Sequence, residues 1–102
     1  MEEVRPLNLR YTPRAIQQLD AIRTYLHLRN ERAVIRVGAH IHKACGQLAR
    51  HPHSGRPEGP RGIRAISVPR YPYVILYRIL GSPPAEIEVL GVFHTALGAR
   101  KI

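Results

Sequence analysis

Arg64, Arg78 and His94 each stand inside an otherwise apolar run of a 102-residue chain, and their side chains have clear chemical uses. Guanidinium groups clamp a phosphodiester by paired hydrogen bonds, and an imidazole titrates near neutrality, so it can take or give a proton. Together they supply the minimum for metal-free RNA cleavage. His94 would act as acid or base, Glu58 as its partner, and Arg64 and Arg78 would stabilise charge developing on the phosphate. This requires convergence on one sheet face, which strand register decides. The plainer reading of Arg78 is a strand-end residue with its stem on apolar surface and its head in water.

Other reactive side chains carry less. His51 and His53 flank Pro52, but a zinc site needs three or four ligands and this loop adds only Glu58, so no metal and no cofactor are expected. Ser54 has no evident acid to orient a neighbouring histidine. His40 and His42 are two apart on a helix, so they point in different directions and are expected to face solvent. A single cysteine, Cys45, excludes an intramolecular disulfide and a Cys-based zinc site, which fits a reducing cytoplasm. It follows Ile41 by four residues and is expected in the core. No apolar run approaches the ~20 residues that span a bilayer, and the N-terminus lacks the apolar stretch of a secretory signal, so a cytoplasmic protein without membrane contact is expected.

The elements that must position these groups follow from periodicity. Leu7, Leu9 and Tyr11 alternate as in a half-buried strand. Thr12 is suited to cap a helix, with Pro13 at its first position. Ile16, Leu19, Ile22 and Leu26 then mark one helical face that ends near Arg29. Asn30 caps a second helix, whose stripe Val34, Val37, Ile41, Ala44 and Leu48 runs until Pro52 forbids continuation. So short a turn predicts an antiparallel helical hairpin. His51–Pro60 is rich in Pro and Gly and reads as an exposed loop. Strands are expected at Ile63–Val68, Tyr73–Leu80 and Ala85–His94, separated by turns at 69–72 and 81–84. In the last strand, Ile87, Val89, Gly91 and Phe93 share one parity, and Glu88, Leu90, Val92 and His94 the other. Residues 95–102 are weakly patterned. The order β-α-α-β-β-β predicts one α+β domain over residues 1–102, with two layers: the helical hairpin packs on one face of a mainly antiparallel sheet, and the other face stays at least partly open.

Charge narrows the partners. Sixteen Lys and Arg against seven Asp and Glu give a formal +9, and the hydrophobic fraction of 44% excludes a disordered basic tail. Small size excludes a multidomain enzyme. Residues 50–78 hold Arg50, Arg56, Arg61, Arg64, Arg70 and Arg78 against Glu58 alone, and they are expected to border the open sheet face. An acidic partner fits this distribution. Charge by itself also permits a nucleic-acid-binding domain, whose affinity would fall with salt.

The ordered runs Gly55-Arg56-Pro57, Gly62-Ile63-Arg64, Tyr71–Ile79 and Ile87–Ala96 resemble the RelE/ParE superfamily of bacterial type II toxins. Tyr11–Ala15 and Leu19–Ile22 are similar to the family's opening, so the resemblance spans nearly the whole chain. It implies a RelE/ParE-like fold and a toxin encoded beside an acidic antitoxin, whose extended C-terminal segment lies over the toxin. Operator DNA would be reached only through that antitoxin. ParE-like members poison DNA gyrase by binding, whereas RelE-like members enter the ribosome and cut mRNA. Two features favour the ParE-like branch. The lysines are Lys43 and Lys101, neither on a central strand, and His94 is followed by Thr95-Ala96-Leu97-Gly98 with no tyrosine. One feature departs from the family: many relatives place Arg and Asp close after the histidine, but here Leu97 and Gly98 precede Arg100. The charge on and beside the open sheet face gives the expected antitoxin- or target-binding set: Arg56, Arg61, Arg64, Arg70, Tyr73, Arg78 and His94. The RelE-like alternative would use Arg64, Arg78, His94 and Glu58 on the ribosome and mRNA.

Overall fold

Local capping chemistry sets the helical boundaries. In the computed structural model, which describes residues 6–81 and 85–95, Thr12 is extended and its Oγ1 accepts the Ala15 N–H at 3.1 Å, opening helix α1 (Pro13–Arg29). Asn30 then does two jobs. Its backbone N–H donates to the Leu26 carbonyl at 2.7 Å, closing α1, while its Oδ1 accepts the Arg32 N–H at 3.0 Å and opens α2 (Glu31–Arg50). One extended residue is therefore the whole turn of the hairpin.

The strands are β1 (Asn8–Tyr11), β2 (Arg56–Pro57), β3 (Arg64–Ser67), β4 (Tyr73–Leu80) and β5 (Glu86–His94), in the spatial order β1-β5-β4-β3-β2. β1 lies parallel to β5, as the helical crossover between them requires, and the other pairs are antiparallel. The arrangement is α+β, a helical hairpin on a mixed five-stranded sheet, as expected. β2 is an addition to the expected order. It takes two residues of the Pro-rich loop and pairs Arg56 with Ala65 and Pro57 with Arg64, at the sheet edge where proline is tolerated. The expected turn at 81–84 and the tail 96–102 fall largely or wholly outside the described residues.

The larger core lies between the helices and one sheet face. It joins Val37, Ile41, Ala44, Cys45 and Leu48 of α2 to Tyr73, Ile75, Tyr77, Ile87, Val89 and Val92. A smaller cluster of Ala65, Val74, Leu76 and Phe93 occupies the opposite face, with Ile63 and Leu90 packed against it. That face is consequently not open at its centre, since Val74 and Leu76 are buried.

A bulge in β5 explains the parity that regular alternation misassigns. Leu76 pairs with Gly91 and Tyr77 with Val89, so Leu90 is left without a partner on β4. Beyond it the faces exchange: Val92 joins Ile87 and Val89 in the larger core, and Phe93 joins the smaller one. Helix α1 satisfies the groups that the bulge releases. Thr12 Oγ1 donates to the Leu90 carbonyl at 3.2 Å, and the Val92 N–H donates to Gln18 Oε1 at 2.9 Å. Gly91 leaves room for this contact, because a Cβ there would sit 2.7 Å from Gln18 Oε1 and 2.5 Å from the Phe93 ring.

Candidate functional site

The register separates the three residues that would have to converge for RNA cleavage. Arg64 pairs with Tyr77 and His94 with Tyr73, on the helix-facing side of the sheet. Three residues of β4, Val74 to Leu76, lie between the two pairs, so the four residue steps put them about 13 Å apart along the strand. Arg78 pairs with Glu88 on the other side, where its Nε donates to Glu88 Oε1 at 2.8 Å. No shared phosphate site results. Arg64 instead holds the loop after α2: its Nη2 donates to the Gly55 carbonyl at 2.6 Å and the His53 carbonyl at 3.1 Å. Tyr77 completes that anchor, accepting the Gly55 N–H at 3.0 Å and donating to the Pro52 carbonyl at 2.7 Å.

The remaining cations of residues 50–78 are dispersed. Arg56 lies on the β2 edge, 3.6 Å from Glu58, and Arg61 projects from the following loop. Arg70 occupies the β3–β4 turn, beside His40, Lys43 and Gln47 of α2. The expected basic face on an open sheet does not form, because neighbours in sequence are sent to an edge, a turn and two opposite faces. Nor is His40 fully solvent-facing: it is half-buried and meets Tyr71 edge-on at 4.9 Å.

What does gather is an apolar groove along α1. One cavity of about 280 Å³ lies between the helices, lined by Tyr11, Leu19, Ile22, Leu26, Val34 and Ile41 among others. A second, of about 290 Å³, is formed by Ala21, Ile22, Tyr25, Tyr73 and His94. Ile22 lines both. Tyr25 is 50% exposed and Leu28 81%, so α1 carries apolar surface well beyond its packing contacts. Ile16, expected in the core, is exposed too, and Ala15 takes the buried position instead.

The electrostatics of this groove suit binding better than nucleophilic attack. Burial raises the pKa of the Tyr11 phenol, with the Cys45 sulfur beside it adding to the shift. Burial likewise pushes the Cys45 thiol up, and Tyr73 rises through burial and the neighbouring Tyr25. All three stay protonated at neutral pH, so none of them offers an anionic nucleophile. Two arginines stand beside the groove: Arg23 lines the first cavity and is paired with Asp20 at 2.6 Å, and the Arg29 guanidinium lies 4.7 Å from the Tyr25 ring centroid. His94 meets Tyr73 edge-on at 5.3 Å at the far end. Among the predicted site residues, therefore, Tyr73 and His94 are brought together, whereas Arg56, Arg61, Arg64, Arg70 and Arg78 are not. Tyr25 and Leu28 escape a search for chemically reactive residues; their signal is a large apolar side chain off the main helical stripe.

Among known proteins, the description "ParE toxin of type II toxin-antitoxin system, parDE" fits residues 9–96. The chain is 37% identical over 86 residues to the toxin-like protein Y4kP of Sinorhizobium fredii, covering 84% of this chain and 85% of that one. It is 35% identical over 83 residues to toxin RelE1 of Caulobacter vibrioides, covering 79% and 85% respectively. Its fold is similar to a structure of the chromosomal ParDE system of P. aeruginosa, with a TM-score of 0.72 and 25% identity over 86% of this chain and 95% of the other. The RelBE2 toxin–antitoxin complex of Mycobacterium tuberculosis gives 0.59 and 25%, over 92% and 97%. With the family pattern running from β1 to the end of β5, the chain belongs to the ParE toxin family of type II toxin–antitoxin systems, within the RelE/ParE superfamily.

Proposed function

We propose that this toxin acts by binding DNA gyrase and is held inactive by an acidic cognate antitoxin seated along α1. The observation that carries the antitoxin reading is the pair of apolar cavities along α1 that share Ile22, with Arg23 at one and Arg29 against Tyr25 of the other. An amphipathic segment with acidic flanks matches it: its apolar side chains fill the cavities, and its carboxylates meet Arg29 and compete with Asp20 for Arg23. Relatives point the same way, since the similar structures are of a ParDE system and a RelBE2 complex.

Action by binding is supported by the separation of Arg64, Arg78 and His94, which leaves the phosphate clamps of a ribonuclease unassembled. Purified toxin should block gyrase supercoiling or accumulate cleaved DNA complexes, and added antitoxin should reverse this. Translating mRNA should stay intact. The RelE-like alternative draws on the His94–Tyr73–Tyr25 cavity and on the likeness to RelE1. Mapped mRNA cuts in a cell-free translation reaction, lost with His94→Ala, together with normal gyrase activity, would replace the gyrase reading.

A further inference from the structure

The outward face of α2 carries a row of cations that the antitoxin groove does not use. Arg32, Arg36, Lys43 and Arg50 are exposed and fall within about 40° of one another around the helix at 100° per residue. They span roughly 27 Å of its length. The core-forming residues Val37, Ile41 and Leu48 occupy the other side. Across the β3–β4 turn, Arg70 extends the row, lining a cavity of about 210 Å³ with His40, Lys43 and Gln47.

Fold stability does not account for this row. Glu31 is the single acidic residue of α2, and none of these five cations is paired with a carboxylate among the described residues. Arg32 sits in the first helical turn, where the helix dipole opposes a positive charge, and Arg36 repels it from one turn away. Arg50 alone, in the last turn, is favoured by the dipole. Arg70 also holds φ at +71°, a conformation that glycine adopts at less cost.

We infer that this face binds the phosphate backbone of duplex DNA directly, without reading its sequence. Ala39 and Gly46 beside the cations are small, and the exposed Ile35 at the edge of the row is a lone apolar side chain, too little for the apolar centre of a protein interface, whereas backbone binding is almost wholly electrostatic. Single-strand recognition would need aromatic platforms for the bases. Tyr71, which follows Arg70, is engaged edge-on with His40. A straight, rigid row of cations suits a straight duplex. The inference does not depend on the gyrase reading, and it differs from the expectation that DNA is reached only through the antitoxin.

The test is fluorescence anisotropy of the purified chain with a labelled random-sequence 24-base-pair duplex, titrated at several salt concentrations between about 50 and 200 mM. Five phosphate contacts predict that log K falls with log[salt] at a slope of about −4.5, at ~0.9 per contact. Arg36→Gln with Lys43→Gln should reduce that slope by about 2. Arg36→Lys with Lys43→Arg should preserve it. Arg56→Gln with Arg61→Gln removes the same charge from the β2 edge and loop and should leave the slope unchanged. Thermal melting checks that each variant is folded. Equal losses in the two charge-removing variants would reduce the effect to net charge and overturn the assignment. So would tighter binding to single-stranded or duplex RNA than to duplex DNA through these residues, or displacement of the duplex by poly-glutamate at equal charge concentration.

Discussion

Helices α1 and α2 pack on the same sheet face and have similar lengths, 17 and 20 residues, yet they are held by different forces. α2 buries Val37, Ile41, Ala44, Cys45, Leu48 and Ala49, whereas α1 buries Ala15 alone and leaves Leu19, Ile22 and Leu26 half-covered. The N-terminal half of α1 is tied instead by hydrogen bonds to the β5 bulge, through Thr12 and Gln18. Its C-terminal half displays Tyr25 and Leu28. The difference separates two tasks: α2 supplies cohesion to the fold, and α1 is oriented by polar contacts that leave its apolar surface available to a partner.

The most severe way to test this division is Leu48→Ala. Leu48 is fully buried, and losing its side chain should cost about 2–5 kcal/mol in urea or thermal unfolding. Leu26→Ala on α1 should cost about 1 kcal/mol, because less of its surface leaves water. Equal costs would mean that the two helices contribute alike and would break the comparison. Next comes Gln18→Ala, which strands the Val92 N–H at the bulge and should cost about 1–3 kcal/mol. A value near zero would show that α1 is not tied there. Tyr77→Phe addresses the far end of α2, where the hydroxyl pins the following loop through Gly55 and Pro52. A loss of about 1–2 kcal/mol is expected, with faster proteolysis of residues 51–55 as the local readout.

The parts of this architecture legible in sequence are those fixed by local chemistry. Thr12-Pro13 and Asn30 mark helix boundaries because a cap acts within three residues of itself. The α2 stripe is readable for a related reason: one dominant packing face imposes one period. α1 misleads at Ile16, since a helix held partly by hydrogen bonds need not bury every apolar residue on its stripe. Non-local geometry was the harder part. Alternation in β5 assumes an unbroken ladder, so the bulge at Leu90 sends Val92 and Phe93 to the opposite faces from those expected. The separation of Arg64, Arg78 and His94 is likewise a matter of pairing between strands. β2 is too short to carry a pattern at all. The cation row on α2 was readable in principle, by applying the helical period to Arg and Lys as well as to apolar residues. A sum of charge along the chain points to residues 50–78 instead.

The smallest effect on stability should carry the sharpest information about binding. Tyr25→Ser and Leu28→Gln alter side chains that already lie in water, so each should change unfolding free energy by no more than about 0.5 kcal/mol. If α1 is the antitoxin's seat, the same substitutions remove large apolar anchors from the interface, and calorimetric titration with the antitoxin should show at least a tenfold loss of affinity. Ile35 provides the matched control. It is 75% exposed but stands on α2 and lines none of the three cavities along α1, including the one that Leu28 lines, so Ile35→Gln should leave both stability and affinity nearly unchanged. A loss at Ile35 equal to that at Tyr25 and Leu28 would spread the seat over both helices and dissolve the division of labour. Loss confined to α1 would mean that the helix contributing less to the core is the one that contributes more to recognition.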